Sequence, residues 1–221
     1  ATPAATAGSS ATATAAASAS AAAAASANPS ESSTKGWAML CMDNSLVDVY
    51  CSRNRAAIFA AGLEIGDDVA GLQQDKKIAI YETLVGDKHG GSDLKMPGGS
   101  TLNTARVMSG RSCFRPLGLA TCFIGVAVDD DDGAFLVREA KEAGVDWLLP
   151  LHPKQGGACT GRCLVVVDDE TRDRTLVTIR GPSHVPSRAS LDAPNVADAI
   201  RNSEVIYAAA FVLSTPERAE A

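Results

Sequence analysis

Two short clusters hold residue types that can grip neighbouring hydroxyl groups. The first is Asp43-Asn44-Ser45-Leu46-Val47-Asp48. A carboxylate accepts two hydrogen bonds at once from an adjacent pair of hydroxyls, which is what a sugar diol presents. Taken singly, each of these polar residues is also an ordinary turn or cap residue. The second cluster is Gly98-Gly99-Ser100-Thr101-Leu102-Asn103. Paired glycines permit positive φ and close backbone approach, and a helix N-terminus exposes free N–H groups. Asn103, one turn in, both donates to and accepts from hydroxyls. The cluster lacks the Gly-Lys-Ser/Thr of a P-loop and is not G-x-G-x-x-G, so a capped helix start is the competing reading.

Other groups of polar residues carry less chemistry. The run Asp129–Asp132 fails the register of an EF-hand loop and reads as helix capping with macrodipole complementarity. Cys159-x3-Cys163 has neither C-x2-C spacing nor a following His pair, which argues against zinc. No metal site is expected. His89, His152 and His184 sit in loop-like contexts without a nucleophile or metal partner nearby, and none is assigned a role.

The elements that must position these clusters alternate. Trp37–Met42 reads as a buried strand ending in the turn Asp43-Asn44-Ser45, and Ser100–Met108 as a helix after the Pro97-Gly98-Gly99 breaker. Leu117–Val126 is a second buried strand. Asp130–Ala143 is an amphipathic helix closed by Gly144, and Val145–Leu149 is extended again. Residues 158–181 break the rhythm: Arg162–Val167 and Arg174–Arg180 flank an acidic turn and form a hairpin suited to a lid over the ligand edge of a sheet. Arg162, Arg174 and Arg180 read either as phosphate-facing cations or as the solvated face of that hairpin. A helix at Pro194–Asn202 and a strand at Val205–Ala209 resume the pattern, and Pro216 opens another helix. The fold class is α/β, with a parallel sheet flanked by helices.

Composition narrows the function classes. The formal net charge is −6, which argues against an electrostatic nucleic-acid binder. No stretch has the length and bulk of a membrane helix, so no membrane partner is expected. Residues 1–35 are almost entirely Ala, Ser and Thr, with no charge before Glu31. They read as a disordered tail, or as a targeting segment that lacks the usual arginines. The six cysteines are scattered and fit reduced thiols in a reducing, cytoplasmic compartment, with an organelle as the alternative if the tract is a transit peptide.

In order along the chain, the motifs are Asn44-x3-Asp48, Gly98-Gly99-Ser100-x2-Asn103, Gly125-x3-Asp129-x3-Gly133 and Ala143-Gly144-Val145. Together they resemble the N-terminal portion of the PfkB/ribokinase family of carbohydrate and nucleoside kinases, from about Trp37 to Glu217. Within the family the likeness is strongest to the adenosine kinases, whose M-G-N-P-L-L-D appears as Met42–Asp48 and whose G-G-S-T-x-N is intact. Tyr207–Phe211 looks like the strand that ends beside the nucleoside pocket in that subgroup. Two positions depart from the subgroup's pattern: Asp43 stands for a Gly, and Leu102 for a residue that is often polar.

The resemblance implies a ribokinase-like doubly wound sheet over 36–221 with a small β lid, truncated at its C-terminus. It implies ATP-dependent phosphorylation of a nucleoside 5′-hydroxyl, adenosine to AMP in purine salvage, with Mg2+ accompanying ATP. Asp48 and Asn103 would hold the ribose hydroxyls, Gly98 and Gly99 would give close backbone approach, and Asn44 and Ser100 would line the pocket. Phe211 would be the apolar wall near the base. The family's anion-binding glycines and catalytic Asp lie in a D-T-x-G-A-G-D-like string, and no such string occurs in these 221 residues. The resemblance therefore places the catalytic Asp beyond Ala221, and no catalytic residue is assigned within the chain. The ATP site is likewise expected largely outside it, and the chain alone is expected to be inactive. The alternatives are a ribose- or fructose-class kinase, or a non-catalytic nucleoside- or sugar-binding remnant; monomer is the expected state.

Overall fold

Apolar runs with period-two burial, separated by helices, build two four-stranded sheets in the computed structural model, which describes residues 36–69, 71–85, 93–110, 119–181, 186 and 188–210. The 1–35 tract, His89, Cys113, His184, Phe211 and the helix expected at Pro216 lie outside the described residues. So does Ala221. In chain order the elements are β1 (Trp37–Met42), β2 (Leu46–Arg53), α1 (Arg55–Ala60), α2 (Gln74–Leu84), β3 (Leu94–Gly98), α3 (Ser100–Ser109) and β4 (Thr121–Ile124). There follow α4 (Asp131–Glu142), β5 (Val145–Trp147), β6 (Gly161–Asp168), β7 (Arg174–Ile179), α5 (Arg188–Leu191), α6 (Pro194–Asn202) and β8 (Ser203–Ala208).

The first sheet runs β5-β4-β1-β8 with every pair parallel. Its central strands are buried on both faces, the usual reason parallel strands read as continuous apolar runs. Alternation sends Leu40, Cys122 and Ile124 into one cluster with Val196 and Ala199 of α6, and Cys41 and Phe123 into another with Leu102, Leu136 and Ala140 from α3 and α4. Helices therefore cover both faces, the doubly wound arrangement that the strand-helix alternation predicts. The Phe123 ring, fully buried, sits 5.1 Å from that of Trp147. Of the strand expected at Leu117–Val126, β4 takes Thr121–Ile124, the Ala120 carbonyl also accepts from the Ala38 amide at 2.9 Å, and Gly125 to Ala127 leave the sheet at its carboxyl end; Leu117 and Gly118 lie outside the described residues.

The second sheet runs β3-β2-β6-β7 and contains the expected hairpin as β6 and β7. The hairpin does not stand alone: β2 pairs parallel with β6 and antiparallel with β3. Strand β2 alternates, with Val47, Val49, Cys51 and Arg53 buried and Asp48, Tyr50 and Ser52 on the other, more accessible face. The Asp168 carboxylate accepts from the Thr171 amide at 3.2 Å and its hydroxyl at 2.7 Å, closing the β6–β7 turn.

Helix α4 begins as its acidic run predicts. Asp130 is the N-cap and accepts from the Gly133 amide at 2.8 Å. It also accepts from the Thr160 amide and hydroxyl, at 2.8 and 2.7 Å. Burial opposes ionisation of Asp130, but these three bonds outweigh it and hold its pKa below the usual carboxylate range. Asp130→Ala removes the cap, and chemical denaturation should show a loss of about 0.5–2 kcal/mol. Gly144 follows the helix at φ 84°, the left-handed residue expected after its last turn.

Candidate functional site

In an open parallel sheet the ligand edge lies beyond the carboxyl ends of the strands. Strand β1 delivers Asp43, Asn44 and Ser45 to that edge, and the short connection leads directly into β2, which belongs to the other sheet. The site is thus built where one chain segment crosses between two sheets. Asp48 is the third residue of β2, on the accessible face of the second sheet, in a strand that the sequence reading did not assign. The alternation Val47-Asp48-Val49-Tyr50-Cys51-Ser52 was the available sign of a half-buried strand.

The paired glycines are needed because two other parts of the site press against them. A Cβ on Gly98 would lie 2.2 Å from Asp48 Oδ1 and 2.7 Å from Oδ2. Gly99 has φ 91°, and a Cβ there would lie 2.5 Å from the Asn44 carbonyl oxygen. The two sequence clusters are therefore one site, joined at Asn44–Gly99 and Asp48–Gly98. A third link runs from the Ser100 hydroxyl, which donates to Asp43 Oδ2 at 2.8 Å. Asn103 continues the first turn of α3: its amide donates to the Gly99 carbonyl at 3.0 Å, and its side-chain oxygen accepts from Arg106 at 3.3 Å.

Asp48 is the electrostatically unusual member. Burial pushes its carboxyl up to about 6. Its cross-strand neighbour is Cys163, whose thiol burial pushes up to about 11 and which accepts from the Thr178 hydroxyl at 3.7 Å. A desolvated carboxylate on an accessible sheet face gains from donors that a ligand brings, since hydrogen bonds to the charged form offset the cost of its burial.

The two departures from the pattern behave differently. Leu102 is fully buried in the core, so its side chain turns away from the accessible site and an apolar residue there fits the helix's inner face. Asp43 is buried and bonded to Ser100, and its second oxygen, Oδ1, has no partner among the described residues. Arg162 is neither a phosphate-facing cation nor part of a solvated face: it lies on the opposite side of the sheet from Asp48, stacked 5.3 Å over the Tyr81 ring and paired with buried Asp132.

Among the described residues, no group of three or more His, Cys, Asp or Glu is placed to hold a metal ion, and no helix is long and apolar enough to cross a membrane. The described cysteines are free thiols. Two members of the acidic run are already committed, Asp130 to the helix cap and Asp132 to Lys95 and Arg162.

The sequence profile of the pfkB family carbohydrate kinases matches residues 75–221. An adenosine kinase from Schizosaccharomyces pombe (strain 972 / ATCC 24843) is 26% identical over 178 residues, covering 80% of this chain and 47% of that protein. The structure of adenosine kinase from Schistosoma mansoni in complex with 2-fluoroadenosine superposes with a TM-score of 0.66 at 22% identity, covering 81% of this chain and 49% of that one. A probable sugar kinase from Rhizobium etli CFN 42 gives 0.63 at 19% identity, covering 83% and 50%. The structural likeness shows the ribokinase-like fold, and this chain spans about half the length of the relatives it matches.

Proposed function

The chain belongs to the pfkB family of carbohydrate kinases, and from that premise we propose that it carries the acceptor site of an ATP-dependent phosphotransferase acting on the 5′-hydroxyl of a nucleoside, adenosine, to give AMP in purine salvage. The observation that carries this reading is the Asp48–Gly98 contact: a desolvated carboxylate stands open to a diol directly against the glycine pair that begins the acceptor helix. The adenosine kinase relatives support the nucleoside over a free sugar.

Each residue then has a task. Ionised Asp48 accepts from the two ribose hydroxyls, and Asn103 supplies a further hydrogen bond from the first turn of α3. Gly98 and Gly99 leave room for the sugar at the backbone, while Asn44 and Ser100 border it. Phe211 is assigned the apolar wall near the base. Holding the ribose by its diol leaves the 5′-hydroxyl as the free end presented for transfer, an orienting contribution rather than a chemical one.

Family membership brings ATP and, with it, a metal ion. The described residues do not fit a metal: no suitable ligand cluster occurs among them. The sequence through Ala221 also holds no D-T-x-G-A-G-D-like string to cradle the transferred phosphoryl group and supply its catalytic Asp. No catalytic step is therefore assigned to these residues. They act as an acceptor-binding half with negligible turnover alone, in a cytoplasmic, monomeric protein that contacts neither nucleic acid nor membrane.

Isothermal titration of the 221-residue chain with adenosine, ribose and fructose tests the acceptor. Heat of binding is expected with adenosine and not with the free sugars. Binding of fructose or ribose with no response to adenosine would reassign the acceptor to the sugar-kinase class that the Rhizobium likeness represents.

A further inference from the structure

Resting on the reading that Asp48 grips the acceptor, we propose that Asp132 is its positioning residue: one buried carboxylate at the start of α4 ties together the two strands flanking β2 and fixes where Asp48 stands. Asp132 is 2% exposed. Its Oδ1 accepts from Lys95 Nζ of β3 at 2.8 Å, and its Oδ2 accepts from Arg162 Nε of β6 at 2.5 Å. In the sheet register Arg162 pairs with Val47 and Lys95 pairs with Val49. The two cations therefore flank Asp48 by one residue on either side. Strand alternation places them on the face opposite Asp48, so the strut grips the sheet from behind and leaves the acceptor face clear.

The helix does not need Asp132 for its own start, because Asp130 already caps it. An exposed pair in this place would contribute little. Here the carboxylate is buried and doubly paired, and the Arg162 guanidinium is also held over the Tyr81 ring of α2. Losing the charge would leave Arg162 and Lys95 without their shared anchor, freeing β3 and β6 relative to α4. Asp48, which lies between those strands, would lose its fixed position.

Hydrogen exchange on the ligand-free full chain tests this without depending on the acceptor. In Asp132→Asn, amides of β3, of β6 and of β2 around Asp48 should exchange about ten-fold faster or more, while β1 and β4 keep their protection. Exchange that is unchanged, or that accelerates equally in β1 and β4, would overturn the proposal by reducing Asp132 to an inert or a merely structural residue. Lys95→Met, at a half-exposed position, should give the same selective pattern more weakly; protection unchanged there would count against the strut even if Asp132→Asn failed to fold. Adenosine titration of the same proteins separates the two readings. A wild type that ignores adenosine overturns the acceptor assignment, and the exchange pattern alone still decides the strut. A wild type that binds, with Asp132→Asn binding at least ten-fold more weakly, supports both.

Discussion

Gly98→Ala is expected to abolish acceptor binding while leaving the fold about as stable as the wild type. The added methyl would sit 2.2 Å from Asp48 Oδ1, well inside contact distance, so the carboxylate must swing away from its place. Gly98 is not in the left-handed region and the three atoms nearest the added methyl all belong to the Asp48 side chain, while the substitution removes some freedom from the unfolded chain, worth about 0.4–1 kcal/mol in favour of folding. A carboxylate turned aside forfeits two charge-assisted hydrogen bonds, each worth about 1.5–3 kcal/mol, so affinity should fall by two orders of magnitude or more. Gly99→Ala next door should behave differently. Its Cβ meets the Asn44 carbonyl at 2.5 Å and its φ is 91°, so backbone must move and stability should drop by about 1–3 kcal/mol or more along with binding. Thermal unfolding and titration calorimetry on the two variants separate a displaced side chain from a broken turn.

Asp48→Asn is expected to lose binding and gain stability. An amide has one acceptor oxygen and presents donors where the sugar also presents donors, so affinity for a diol should fall by about a hundred- to a thousand-fold. Stability moves the other way because burial raises the Asp48 carboxyl to about 6. The native chain then holds a proton, between about pH 4 and pH 6, that the unfolded chain has released, so stability falls as pH rises through that window. Asparagine carries no charge to desolvate and, with solvent screening at this accessible face allowed for, should recover on the order of 2 kcal/mol at pH 7, an effect that vanishes below about pH 4. In the wild type the ionised form is the one that accepts from hydroxyls, so adenosine affinity should strengthen from about pH 5 to pH 7. Denaturation curves across pH check the first claim, and titrations over the same range check the second.

Much of this was legible in the sequence wherever the information is local. The apolar run of β1, the Pro97-Gly98-Gly99 breaker before α3, the acidic start and Gly144 stop of α4, and the hairpin β6–β7 all follow from patterns a few residues long. The clusters Asn44–Asp48 and Gly98–Asn103 stood out as residue types able to bind hydroxyls, and the structure brings the two clusters into contact. Strand β2 was harder to see. It follows β1 after a short turn, and nothing local says that consecutive strands belong to different sheets, so no strand was assigned around Asp48. The second sheet consequently read as a hairpin when it has four strands. The ion pairs of Asp132 reach across 37 and 30 residues, and no local spacing predicts them. Reading that aspartate only as a macrodipole partner missed its larger task, and for the same reason Arg162 read as free when it was anchored.

Whether Asp48 holds a ribose diol is decided by a thermodynamic cycle. Wild type and Asp48→Asn would each be titrated with adenosine and with 2′,3′-dideoxyadenosine at about pH 7, where Asp48 is ionised. Wild type is expected to bind adenosine at least a hundred-fold more tightly than the dideoxy compound, and Asp48→Asn to keep only the small preference that Asn103 and one amide oxygen can supply. Equal affinity of the wild type for the two ligands, or a preference for adenosine undiminished in Asp48→Asn, would contradict that role for Asp48.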